Sequence, residues 1–263
     1  MSNADAVIAA LRSGFDDLAG RVSGLTDQQL TGPTGADEWD VSQVLSHLGS
    51  GAEIAQNTLQ VSLEGKPNPG LEFNKPIWAR YDAASPRERL EWFLASNEAL
   101  TQSFESLSEE TRQSLKIDMG FLPFPIDVAT GGGYRLNELA LHSWDVRVGF
   151  DPAATVAPEA TPNLLGLAAN LAGFLGKPDA LDGTTAVIAV TTTDPGQSFT
   201  LALGEKVSVI AGAPDQSDGA LTLPAEAWLR LLTGRLKPQY TPEGISATGA
   251  ASLDLLRRVF PKF

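Results

Sequence analysis

The sequence of 263 residues contains no cysteine, and this absence excludes several kinds of chemistry. The chain can form no disulfide bond, no thiolate metal site and no cysteine nucleophile of its own. Histidine is scarce as well, since His47 and His142 are the only two. Any chemistry that needs an imidazole must use one of them. A Ser–His–Asp triad would also need one, and the sequence has no G-x-S-x-G motif to support such a triad.

Basic residues are few compared with acidic ones: 19 Lys and Arg stand against 32 Asp and Glu, a formal net charge of −13. This excess of negative charge argues against nucleic acid or an anionic membrane as the main partner. The sequence lacks an apolar run of the roughly 18 residues that a membrane span needs. Residues 1–12 do not show the basic start and apolar core of a signal peptide. We therefore expect a cytoplasmic protein, either a monomer or a small homo-oligomer, that acts on small molecules.

The first 150 residues show the apolar spacing of helices. Helices are predicted over residues 4–25, from Asp40 to about 59 and over 86–107. Three glycines at 131–133 are expected to lead into a fourth helix that ends near residue 149. Asp40 is a predicted N-cap, because Gln43 follows three residues later as in a capping box. The proline-rich residues 65–76 are expected to form a long irregular connection. Four helices of this length predict a four-helix bundle.

Residues 151–162 are rich in proline and alanine, and we interpret them as the boundary between domains over residues 1–152 and 160–263. Beyond this boundary the pattern changes to short alternating segments that are typical of strands. Strands are predicted over residues 184–193, 198–203, 206–211 and 220–223, with helices over 164–175, 225–233 and 252–260. The predicted fold class is α+β, with an N-terminal four-helix bundle followed by a smaller α+β domain that has a mostly antiparallel sheet.

Glu138 and His142 are four residues apart on the fourth predicted helix, so their side chains point the same way. Asp145, three residues further on, continues this stripe. The rest of the helix is so largely apolar that it must be buried. A carboxylate and an imidazole in a buried helix must be paired or must hold a metal ion, because burying them alone is costly.

His47 lies on the second predicted helix, beside the apolar stripe of that helix. If the second and fourth helices face each other in the bundle, then His47, Glu138 and His142 converge. Two imidazoles and one carboxylate with an open position form the ligand set of a catalytic zinc site. The alternatives are an ordinary Glu–His pair on a helix surface and a histidine that is simply packed in the core.

Two segments resemble the mycothiol-dependent maleylpyruvate isomerase family of actinobacteria, whose first domain is a DinB-like metal-binding four-helix bundle. They are WDVSQVLSHL, residues 39–48, and RLNELALHSWDV, residues 135–146. The segments LPAEAWLRLLTGR, residues 223–235, and LLRRVFPKF, residues 255–263, resemble the second domain of that family, which is related to sterol carrier proteins. The resemblance covers nearly the whole chain, and its specific part is the two histidine motifs.

The resemblance implies that His47, Glu138 and His142 bind a divalent metal ion, usually zinc. It also implies mycothiol as a thiol cofactor, which would account for the absence of cysteine. The thiolate would add to the cis double bond of maleylpyruvate, the resulting single bond would rotate, and elimination would give the trans product. An enzyme that only transfers mycothiol to electrophiles remains an alternative, as does a protein that binds metal or ligand without catalysis.

An anionic substrate would need an arginine near the metal site. The sequence offers two candidates for this catalytic role, Arg80 in the long second connection and Arg235 in the second domain. Arg235 follows a glycine in a pair that resembles one that the family directs toward the metal cleft. For both residues, an ordinary position on the solvated surface is an equally good interpretation. Trp78 and Tyr81 are candidates for the wall of the site.

Overall fold

The computed structural model describes residues 3–261 and divides the chain into two compact units, Met1–Asp151 and Pro152–Phe263. The first unit is built mainly of helices, and the second contains a mixed sheet with helices. This combination confirms the predicted α+β class. Within residues 3–261, no helix combines the length and the apolar character that crossing a membrane would require.

Four long helices form the framework of the first unit as far as it is described. The helices of this unit are α1 (Asn3–Val22), α2 (Asp27–Leu30), α3 (Val41–Leu63), α4 (Leu71–Ala83), α5 (Pro86–Glu105), α6 (Glu109–Ser114) and α7 (Val128–Val148). Helix α1 packs against α5 and α7, and α3 packs against the same two helices. This arrangement is the predicted four-helix bundle.

The start of α3 follows from its capping box. Gln43 donates its backbone N–H to the Asp40 carboxylate at 2.8 Å, and the Gln43 side chain accepts from the backbone N–H of Asp40 at 2.9 Å. The backbone N–H groups of Asp40 and Gln43, which have no partner within the helix, are thereby both hydrogen-bonded. The apolar stripe that follows, including Val44, Leu45 and Leu48, is fully buried in the bundle. The predicted N-cap is therefore confirmed, and it sets the position of His47 on α3.

The prediction of an irregular connection over residues 65–76 is wrong in its second half, because α4 begins at Leu71. Two features hid this helix from the sequence pattern. Pro76 lies inside the helix, where a proline is normally unfavourable. Of the apolar residues of α4, only Ile77 and Tyr81 are buried, so the helical spacing is weak. Arg80 consequently lies on a helix and not in a loop.

The three glycines at 131–133 lie inside α7 rather than before it, and this is a second correction. A Cβ atom on Gly132 would come within 3.0 Å of Val7 of α1, and one on Gly131 within 3.0 Å of Ile117. The glycines are used for close packing and not for a turn. Helix α7 begins directly after strand β2 (Ile126–Asp127), which pairs antiparallel with β1 (Lys116–Ile117).

The second unit packs helices against a five-stranded sheet. Its elements are α8 (Thr161–Leu175), β3 (Ala186–Thr193), β4 (Ser198–Leu203), β5 (Ser208–Ala211), β6 (Gly219–Pro224), α9 (Ala225–Leu232), β7 (Ser246–Gly249) and α10 (Leu253–Val259). The strand order is β5-β4-β3-β6-β7, with β3 parallel to β6 and the other neighbours antiparallel. The sheet is thus mostly antiparallel, as predicted. Strand β7 was not predicted, because its side chains are all exposed and show no alternation.

The N-cap of α7 generates a testable prediction about stability. The Asp127 carboxylate accepts the backbone N–H of Thr130 at 2.7 Å, and this hydrogen bond lowers the pKa of Asp127. We expect Asp127→Ala to lower the free energy of unfolding by about 1 kcal/mol at neutral pH. Urea denaturation followed by tryptophan fluorescence measures the effect, because four of the five tryptophans, all except Trp228, precede residue 151.

The matched control is Asp127→Asn, since asparagine caps a helix about as well as aspartate but does not titrate. A lowered pKa means that the stabilisation is fully present above the ordinary aspartate pKa near 3.9 and is lost as the pH falls through the folded-state value. The asparagine variant should lack this part of the acid sensitivity. Identical acid profiles for the wild type and Asp127→Asn would contradict the assignment.

Candidate metal centre

Two bundle helices bring three potential metal ligands together. His47 is on α3, and Glu138 and His142 are one turn apart on α7. One ligand atom from each of the three residues lies within 4.8 Å of the other two. His47 Nε2 is 2.9 Å from Glu138 Oε2, and His142 Nε2 is 3.8 Å from the same oxygen. The structure thus brings together the three residues that the sequence singled out as metal ligands.

The ring of His142 is held by a buried carboxylate. Its Nδ1 lies 2.8 Å from Asp145 Oδ2, and the Asp145 side chain is completely buried. This close contact places Nδ1 against the carboxylate and leaves Nε2 as the ring nitrogen that faces Glu138. Metal-binding histidines are commonly oriented in this way by a second carboxylate. The helical spacing predicts that Asp145 lies on the same stripe as His142, but it does not indicate a role for Asp145.

Trp39 packs against both imidazoles from the segment that precedes α3. Its ring centroid is 5.2 Å from that of His47 and 5.9 Å from that of His142. The two imidazole rings are themselves 4.7 Å apart in an edge-on arrangement. The aromatic contact limits the motion of both rings, so the two Nε2 atoms stay directed toward Glu138.

Glu138 is a charged carboxylate at neutral pH. Burial by itself raises the pKa of Glu138, but the hydrogen bond with His47 and the electrostatic interactions with His142, His47 and Arg135 outweigh this effect and lower the pKa to about 2. An ionised carboxylate and two imidazoles supply the kind of donor set that zinc and similar divalent ions prefer. The residues present therefore fit a divalent metal ion.

A cavity of about 560 Å³ within the first unit opens onto this cluster. His47 and Glu138 line it, and their side chains are 38% and 43% exposed. One side of the cluster therefore faces the cavity. Most of the other lining side chains are apolar: Ile54, Ala55, Leu59, Leu71, Trp78, Phe104, Ile117, Met119, Phe121 and Tyr134. A metal ion held by three protein ligands would thus have an approach for a further ligand from this cavity.

Arg135 lies in the wall of the same cavity, one turn before Glu138 on α7. Its side chain is only 7% exposed. Burial lowers the pKa of Arg135 to about 10, so the guanidinium remains charged at neutral pH. Its Nη2 donates to the carbonyl oxygen of Leu48 at 2.7 Å and to Asn97 Oδ1 at 2.6 Å. Sequence analysis missed this residue, although its spacing from Glu138 places both on one helix face.

The two arginines proposed from the sequence have different surroundings. Arg80 on α4 pairs with Glu53 and stacks on the rings of Tyr81 and Trp92, and it does not line the cavity. Arg235 follows α9 in the second unit, where its Nη1 donates to the carbonyl oxygen of Thr233 at 3.4 Å. Of the two aromatic candidates, Trp78 lines the cavity, whereas Tyr81 is buried against Gly49.

Two family models match this chain, one in each unit. The model of the mycothiol maleylpyruvate isomerase N-terminal domain matches residues 11–147, and the model of the SCP-2 sterol transfer family matches residues 170–241. The first of these matches contains all three candidate ligands. No curated protein sequence matches the chain.

Solved structures show a similar overall fold. A crystal structure of the mycothiol-dependent maleylpyruvate isomerase has a TM-score of 0.67 and 14% sequence identity, and the match covers 99% of this chain and 97% of that one. A histidine-to-alanine mutant of the same isomerase has the same TM-score and coverage at 13% identity. At these identities the likeness establishes the fold and leaves the reaction open.

The contact between Asp145 and His142 generates the prediction for this site. We expect Asp145→Asn to weaken zinc binding about 10–100-fold, because asparagine cannot hold the Nδ1–H of His142 as a carboxylate does. Competition with a chromophoric chelator measures the affinity. The matched control is Glu91→Gln, which removes one negative charge from an exposed position on α5 and should leave the affinity unchanged. Equal zinc affinity in Asp145→Asn and wild type would refute an orienting role for Asp145.

Proposed function

The chain belongs to the family defined by the mycothiol maleylpyruvate isomerase N-terminal domain, and from this premise we propose that it is a zinc-dependent enzyme that uses mycothiol. Its reaction is the cis–trans isomerisation of a maleylpyruvate-like substrate or the transfer of mycothiol to an electrophile. The observation that carries this proposal is the convergence of His47, Glu138 and His142 at the edge of a cavity.

In this proposal three residues bind the metal ion and a fourth orients one of them. His47, Glu138 and His142 would hold the zinc ion, and Asp145 would keep the His142 ring in the orientation that presents Nε2. A bound zinc ion would act as a Lewis acid that lowers the pKa of a thiol below its free value near 8.5. Because the chain has no cysteine, the thiol must come from a diffusible molecule.

The cavity supports a bimolecular reaction between a thiol and an electrophile. Its volume of about 560 Å³ lies within the range of small-molecule sites, and most of its lining side chains are apolar. Isomerisation and S-transfer share their first step, the addition of the thiol sulfur to an electrophilic carbon. The predominantly apolar lining favours S-transfer to an apolar electrophile as the second candidate reaction.

The arginines predicted from the sequence receive unequal support. Arg80 is neutralised by Glu53 and stacked on two rings, so its surroundings do not favour a role in substrate binding. A catalytic role for Arg235 remains a prediction, to be tested by the activity of Arg235→Gln. A protein of the same fold that binds metal or ligand without turnover is the remaining alternative, and the experiment below separates it from an enzyme.

We expect turnover of an electrophilic acceptor by the zinc-loaded protein to require an added thiol. The assay measures the rate with maleylpyruvate and with a panel of apolar electrophiles, each with and without mycothiol. Equal rates without mycothiol would overturn the thiol proposal in favour of a metal-dependent hydrolase. Absence of turnover with every acceptor, together with intact zinc binding, would favour the non-catalytic binder.

The variant for this assay is Glu138→Gln, which keeps the side-chain volume and removes the negative charge. It should lower both zinc content and thiol-dependent turnover while leaving the helical circular dichroism nearly unchanged. Glu91→Gln serves again as the control for loss of a carboxylate. Full zinc content and full turnover in Glu138→Gln would contradict the assigned ligand set.

A further inference from the structure

The guanidinium of Arg135 is buried without a carboxylate in salt-bridge contact among residues 3–261. Both hydrogen bonds of its Nη2 go to neutral oxygens, those of Leu48 and Asn97. Its Nε is buried and has no hydrogen-bond partner in the described part of the chain. Buried charges in proteins are normally paired, because an isolated one is costly to remove from water. Arg135 is therefore a buried positive charge that no carboxylate of the described residues neutralises by direct contact.

The Nη1 end of this guanidinium lies beside Gly51, in the wall of the cavity that Arg135 also lines. A Cβ atom on Gly51 would come within 3.1 Å of Arg135 Nη1, and Gly51 itself lines the cavity. Gly51 therefore makes room for Nη1 on α3, one turn after His47. Asn97 on α5 and the carbonyl group of Leu48 on α3 hold the opposite nitrogen in place. The charged group is thus positioned by three helices before any ligand binds.

Metal binding would make the charge of the cavity wall near Arg135 more positive and would therefore favour an anionic ligand there. The carboxylate that interacts with Arg135 electrostatically is Glu138, one turn away on α7. A divalent ion bound to Glu138 would neutralise this carboxylate and add positive charge of its own. The cavity wall would then carry a net positive charge at the ligand set and at Arg135, surrounded by apolar side chains. A ligand with an apolar body and an anionic group complements such a surface.

We propose that Arg135 binds the carboxylate of the substrate, so that the electrophile taken by this cavity is a carboxylate-bearing molecule with an apolar body. This inference rests on the proposed function, since it places the substrate beside the zinc ligands. It assigns anion recognition to Arg135 of α7 instead of Arg80 or Arg235. The apolar lining and the guanidinium of Arg135 then act on different parts of one substrate.

The test uses a pair of unreactive probes, 3-phenylpropanoate and the neutral 3-phenylpropanamide, which have the same size and differ in charge. Calorimetric titration of the zinc-loaded full chain, without thiol, gives the affinity ratio of the two probes. We expect the wild type to favour the carboxylate by about tenfold or more, the effect of a hydrogen bond to a charged group. A ratio near one in the wild type would overturn the inference.

Arg135→Gln should bring the ratio close to one, and Arg135→Lys should retain part of the preference because it keeps the charge. The matched control is Arg21→Gln, which removes a positive charge from an exposed position on α1 that pairs with Asp17. An unchanged ratio in zinc-loaded Arg135→Gln would overturn the inference, because the carboxylate would then be bound by the metal or elsewhere.

A measurement on the wild type alone keeps the inference open to refutation if the variants fold poorly. Binding to the native state raises the melting temperature, so 3-phenylpropanoate should raise it more than the amide does at equal concentration and ionic strength. Equal shifts would count against Arg135. Failure of the proposed function has a different signature, because it appears as a protein that does not retain zinc or that turns over acceptors without thiol.

Discussion

The arrangement of the site depends on the buried contact between His142 and Asp145. A carboxylate with no exposure to solvent must have partners, and Asp145 has one in the Nδ1 of His142 at 2.8 Å. The segment that precedes α3 also contacts this end of α7, since Gly35 donates its backbone N–H to the carbonyl oxygen of Asp145 at 2.7 Å. A side chain at Gly35 would collide with Trp144 at 2.8 Å. The segment that carries Trp39 is therefore packed tightly onto the helix that supplies two of the ligands.

The same segment ends in Asp40, the N-cap of α3, and so connects the two ligand helices. Capping fixes where α3 begins, and the position of His47 two turns later follows from that start. The contact at Asp145 fixes the ring of His142 on α7. The hydrogen bond from Gly35 to Asp145 thus connects the segment before α3 with α7. The cavity is lined by Gly51 and by mostly apolar side chains.

Much of this organisation could be predicted from residue spacing, and the remainder depends on tertiary contacts. The capping box at Asp40 and the pair of Glu138 and His142 are local patterns, so they were visible in the sequence. Helix α4 was hidden because Pro76 interrupts its pattern and its burial is slight. The position of Arg135 was visible, but its significance depends on burial by α3 and α5, which a pattern within α7 cannot reveal.

The most direct test of the central claim is the visible absorption spectrum of the cobalt-substituted protein during titration with mycothiol. Cobalt(II) accepts the ligands that zinc accepts, and a sulfur-to-cobalt charge-transfer band appears when a thiolate joins them. The account predicts that cobalt binds to the wild type but not to His142→Ala, and that mycothiol produces this band in the wild type. A cobalt-loaded wild type whose spectrum does not change on addition of mycothiol would contradict it.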